Sequence, residues 1–172
     1  MTGTRPAPEE VPAFYRGYVD AAVGADLGEA LQHAAEAVIA AFGAVPPDRV
    51  DHRYAPGKWT VREVLLHLND TERVFAYRAL RFARQDATPL PGFDEDAYVP
   101  AARAARRTMA ELLEEHRAVH GATLALFRGF DQEDLRRMGT AGGKTISVRA
   151  IGWATAGHAL HHVRLLHERY LI

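Results

Sequence analysis

The sequence contains no cysteine among its 172 residues. That absence excludes disulfides, thiolate zinc sites, iron–sulfur clusters and a cysteine nucleophile, so any transition metal must be held by His, Asp or Glu. An excess of charge is also missing: 21 Lys and Arg stand against 22 Asp and Glu, a formal charge of −1. A broad electrostatic grip on nucleic acid is therefore not expected. The longest uncharged apolar stretch, Ala37 to Val45, is far short of the roughly 20 residues that span a bilayer, and the polar start MTGTRPAPEE lacks a signal-peptide core. We expect a cytoplasmic protein with no membrane partner. Strand signals are poor, because no alternating apolar run is bounded by turns and no Asn-Gly or Asp-Gly pair occurs. Lysine is scarce, with only Lys58 and Lys144 among the basic residues, a bias that fits GC-rich coding and implies no partner by itself.

What remains is 48% hydrophobic and 25% charged, the composition of an ordinary globular protein, and a chain of this size buries about 70% of its unfolded surface. One domain is expected over residues 12–172, with 1–11 as a flexible N-terminal extension. Pro and Gly cluster at 45–57, 88–92 and 139–143, between long segments rich in Ala, Leu, Arg and Glu. Helices are expected at about 26–42, 60–84, 101–130 and 147–170, with shorter pieces after Pro12 and at 132–137. Thr60 and Glu63 form a capping box for the second long helix, and Ser147 is an N-cap for the last. Four long helices joined by loops of unequal length give an all-α four-helix bundle with at least one long crossover connection.

With no thiol available, the nine His become the residues of interest. Two pairs, His116 with His120 and His158 with His162, have the i, i+4 spacing that puts both rings on one side of a helix. A chain so rich in His produces such pairs by chance, so context must decide. His158 and His162 share a stripe with Ile151, Thr155 and Leu165 that a bundle turns inward. His116 and His120 follow Glu114 and Glu115 in a charged stretch and read as a solvated face. His67, between Val64, Leu68 and Thr71, would alone be a packed core histidine. Together with an inward HxxxH it becomes the third member of a three-His metal site with open coordination positions, the hallmark of a catalytic ion. Such an ion polarises a bound oxygen or lowers the pKa of water or thiol. His161, rotated about 100° from His162, is set outside the ligand set. Asp70 and Glu72 are candidates to orient His67 or move protons, against the plainer reading of helix ion pairs with Arg73 and Arg78.

Other familiar sites fail on inspection. GGKT at 142–145 lacks the first Gly of a P-loop, since Met138 stands there. A ferritin-like di-iron centre needs Glu-x-x-His, which does not occur, and HExxH, GxSxG and GxGxxG are absent too.

Three segments, PGKWTVREVLLHLNDTERVFAYRALRFAR at 56–84, PLPGFDEDAYV at 89–99 and SVRAIGWATAGHALHHVRLLHERYL at 147–171, resemble the DinB-like (YfiT-like) superfamily of metal-dependent hydrolases. The resemblance covers nearly the whole chain after Pro12. It implies an up-down-down-up bundle with a divalent metal, commonly nickel or zinc with iron or manganese as alternatives, held at positions that match His67, His158 and His162. It also implies frequent homodimers. Relatives include thiol S-transferases that use bacillithiol and enzymes that depend on mycothiol, so the implied activity is hydrolysis or thiol transfer on a small-molecule electrophile. The competing readings are a non-catalytic metal-binding or stress-response module and a plain helical interaction domain with packed histidines. GFDEDAY, in the 85–100 crossover, is placed where it could line the mouth of a pocket.

Overall fold

A computed structural model describes residues 3–171. Seven helices and one small hairpin follow in the order α1 (Ala13–Ala21), α2 (Leu27–Gly43), α3 (Val61–Ala83), α4 (Glu95–Ala102), α5 (Met109–Arg128), α6 (Gln132–Arg136), β1 (Met138–Ala141), β2 (Lys144–Ser147) and α7 (Val148–Leu165). A turn of π-helix, Leu166–Tyr170, prolongs α7. Side-chain caps fix where the helices begin. Asp26 accepts from the Glu29 amide, Thr60 and Thr108 form capping boxes with Glu63 and Glu111, and Ser147 accepts from the Ala150 amide. Each satisfies an amide that would otherwise be orphaned in the first turn.

The long helices α2, α7, α3 and α5 pack in that cyclic order. Their directions can be read from residue pairs. Asn69 meets His116 and Glu72 meets His120, so numbers rise together and α3 runs parallel to α5. His67 lies by His162 whereas Phe75 lies by His158, so α7 opposes α3. Gly43 faces Leu113 while Leu27 and Phe127 both close on Gly152, which sets α2 against α5 and along α7. The result is the expected up-down-down-up bundle. Its parallel pair α3 and α5 needs the long crossover, because a tight turn can join only antiparallel neighbours.

Helix α7 occupies the middle of this arrangement. Val148, Ala150 to Ala156, Gly157, His158 and Ala159 are all buried, so the first three turns of the helix are covered nearly all round and not along one stripe. Trp153, fully buried, is its largest side chain. Small residues let the neighbours approach: a Cβ added at Gly157 would come 1.6 Å from the Tyr18 carbonyl oxygen of α1.

Four expectations need correction. The helix expected over 101–130 is broken: α4 ends at Arg103, which takes a left-handed conformation (φ 52°), and α5 starts afresh at the Thr108 cap. The crossover is thus partly helical and not a bare loop. Strands do occur, as β1 pairs with β2 from Met138↔Ser147 to Ala141↔Lys144. The turn is Gly142-Gly143, both at positive φ, which a hairpin turn of this hand demands. Residues 3–11 are docked where a flexible extension was expected. The Gly3 carbonyl accepts from Leu27, Thr4 accepts from the Trp153 indole, Arg5 stacks on that indole, and Glu10 pairs with Arg149. Finally, His116 and His120 are buried at 1% and 7% exposure, not on a solvated face.

Candidate metal centre

The fold brings three of the sequence-singled histidines to one point. His67 sits in the second turn of α3, and His158 and His162 one turn apart on α7. The Nε2 of His158 lies 3.1 Å from the Nε2 of His67 and 3.1 Å from that of His162. Ligand atoms of all three fall within 4.8 Å of one another. Two ligands of a tetrahedral ion with metal–nitrogen bonds of about 2.05 Å are separated by roughly 3.3 Å, so the spacing matches one shared ion. Hydrogen bonding alone accounts for it less well, because a neutral imidazole has a single N–H and the His158 nitrogen faces two others.

Protonation supports the same fit. Burial lowers His67 to about 4 and His162 to about 3, the latter further depressed by His67 and His161. His158 is held well below the ordinary imidazole range by burial, then by His162 and His67. All three are neutral at pH 7 and present lone pairs. The far nitrogen of His67 lies 3.4 Å from the Thr71 hydroxyl, a contact that orients the ring. Asp70 does not take this role: its carboxylate faces Arg73 at 3.5 Å, the plainer of the two readings.

Aromatic side chains surround the cluster. Trp59 packs on His67 with ring centroids 4.7 Å apart, and Tyr18 meets His158 edge-on at 5.2 Å. They line a cavity of about 210 Å³ together with Phe14, Phe75, Phe93 and the three histidines. Phe93 and Glu95 come from the crossover, so GFDEDAY does reach this cavity. Arg78, buried behind the rings, approaches Phe75 and Phe93 at 5.9 and 5.7 Å and donates to the Pro91 carbonyl. His161 also lines the cavity but stands outside the cluster, with Arg164 near its Nδ1.

A second polar group lies between α3 and α5. His116 Nδ1 is 2.9 Å from Asn69 Oδ1 and His120 Nδ1 is 3.0 Å from Glu72 Oε1. Glu72 therefore pairs with α5 and not with His67. Asn69 in turn donates to the Leu112 carbonyl at 3.1 Å, tying the parallel helices together. Sequence reasoning missed this group. The signal was Asn69 and Glu72, two polar residues three apart on the otherwise apolar inner face of α3.

Comparison with known proteins agrees with this architecture. A family model of the DinB superfamily matches residues 30–166, and the chain belongs to that superfamily. Among solved structures it is similar to YfiT from Bacillus subtilis, described as a probable metal-dependent hydrolase with an unusual four-helix bundle topology. The two share 19% identity and superpose with a TM-score of 0.71 over 96% of this chain and 91% of that one. No curated protein sequence matches. Among the described residues no helix is long and apolar enough to cross a membrane.

Proposed function

We propose that this protein is a metal-dependent enzyme in which His67, His158 and His162 hold one divalent ion beside an aromatic substrate cavity. The observation that carries the proposal is the convergence of three imidazole nitrogens, that of His158 lying 3.1 Å from each of the other two. Nickel and zinc suit such nitrogen donors, and iron or manganese are the alternatives. When bound, the ion would supply the Lewis acidity that makes water or a thiol nucleophilic near neutral pH. The chain's own residues do the rest. Thr71 orients His67, and Tyr18 and Trp59 brace His158 and His67 from the sides. Phe14, Phe75 and Phe93 provide an apolar wall that receives a small electrophile and keeps bulk water away.

Two forms of the reaction share this site, hydrolysis and transfer of a low-molecular-weight thiol such as bacillithiol. The transfer form is favoured by a second cavity of about 320 Å³ that shares Trp59 and His162 with the first. Water needs no cavity of that size. The same openness weighs against a non-catalytic metal-storage role, which has no use for two cavities at the ion.

Elemental analysis of protein purified without a metal-affinity tag tests the proposal. The parent should carry about one equivalent of a divalent ion, and the His67→Ala and His162→Ala proteins should carry little. A parent that takes up no metal on reconstitution, or a His162→Ala protein that keeps a full equivalent, would overturn it.

A further inference from the structure

The second cavity has a chemical character of its own. Where the first is walled by aromatic rings, this one is bounded by Lys58, Asp96, Tyr54 and Tyr170, with Trp59 and His162 as the partition. Lys58 and Asp96 are both exposed and of opposite charge, and neither takes part in a salt bridge among the described residues, including one with the other. Each is nevertheless anchored at its backbone. The Lys58 amide donates to the Ala55 carbonyl across the turn made by Gly57, whose φ is +74°. Asp96 sits in the first turn of α4, where the helix dipole favours a carboxylate. The Tyr170 hydroxyl donates to the Trp59 carbonyl at 3.0 Å, and the Tyr54 ring stands edge-on to Tyr170 at 4.8 Å.

One cation and one anion that line the same cavity without pairing complement a ligand carrying both charges. Resting on the reading of the three histidines as a metal site, we propose that this cavity binds the zwitterionic head of a second substrate of the α-amino-acid type. Lys58 receives its carboxylate and Asp96 its ammonium, while its side chain points past His162 toward the ion. The element that brings Asp96 to this cavity also brings Glu95 and Phe93 to the other, so the crossover serves both substrates at once.

Calorimetric titration of the metal-loaded protein with four small probes tests this. L-cysteine carries both charges and a thiol, cysteamine lacks the carboxylate, 3-mercaptopropionate lacks the ammonium, and L-serine replaces sulfur by oxygen. In the parent, L-cysteine should bind more tightly than either truncated thiol by about fivefold, the scale of one partly exposed charge-assisted contact. Lys58→Gln should weaken L-cysteine and 3-mercaptopropionate by that factor and leave cysteamine unchanged. Asp96→Asn should weaken L-cysteine and cysteamine and leave 3-mercaptopropionate unchanged. Equal affinities for the three thiols, or variants that treat them alike, would overturn the assignment. Metal content measured on the same samples separates the two readings. If the ion is absent, L-cysteine loses its advantage over L-serine while the charge pattern survives; if the ion is present and the pattern is missing, only the zwitterion assignment fails.

Discussion

Gly157 shows how one atom governs the centre. It precedes His158, and a methyl group there would overlap the Tyr18 carbonyl. Because that obstacle is backbone, α1 and α7 would have to part, and overpacking of this kind costs about 1–3 kcal/mol. Gly157→Ala should therefore lower the urea midpoint and reduce metal occupancy together. Asn69 is a second residue whose role is set by what it satisfies. Asn69→Ala would leave His116 Nδ1 without its partner, at about 1–3 kcal/mol for a buried unsatisfied group, and should destabilise the protein with metal content unchanged. At this scale the sequence was informative about the three metal-site candidates, because helical spacing reports which side chains share a face. It was silent about His116 and His120. Of their acidic neighbours Glu114 is exposed, but Glu115 turns toward α3, where it accepts from Asn69 and is engaged by Arg73 and Arg107, so charge nearby in sequence did not mean exposure in space.

Elements were legible where local chemistry marked their ends. The caps at Thr60 and Ser147 fell where the sequence put them. The Thr108 box was equally present as T-x-x-E, yet continuous Ala and Arg around it suggested an unbroken helix. Thr108→Ala tests its weight: losing such a cap costs about 1 kcal/mol, and a thermal melt should show a drop of a few degrees. The hairpin escaped because its strands have four residues each, too few for alternation to register. Its stability rests on tertiary support, with the Leu90 amide donating to Thr140 and the Leu90 carbonyl accepting from Gly142. Neither contact is visible in a periodic pattern.

For the whole molecule, proton uptake gives a direct prediction. His67, His158 and His162, together with His116, have folded-state pKa values depressed by burial. The unfolded chain, titrating near 6.5, therefore binds more protons than the folded one below that pH. Stability is full above about 6.5 and is lost as the pH falls toward 4. Melting of chelator-treated protein should be clearly lower at pH 5 than at pH 7.5, and an unchanged midpoint would count against burial of neutral histidines. A second prediction concerns residues 3–11. Their removal would strip Arg5 and Thr4 from Trp153 and break the Glu10–Arg149 pair, so a chain starting at Pro12 should melt several degrees lower, since about 1 kcal/mol is worth 2–4 °C at this size.

The position of α7 also constrains the order of events during synthesis. Helices α1, α2 and α3 all pack on α7, yet α7 follows them in the chain. Until it has left the ribosome, the apolar stripes of the earlier helices have no common partner, and two of the three imidazoles do not yet exist. The earlier helices are thus left with exposed hydrophobic surface until α7 emerges to cover it. The three-histidine cluster can form only afterwards.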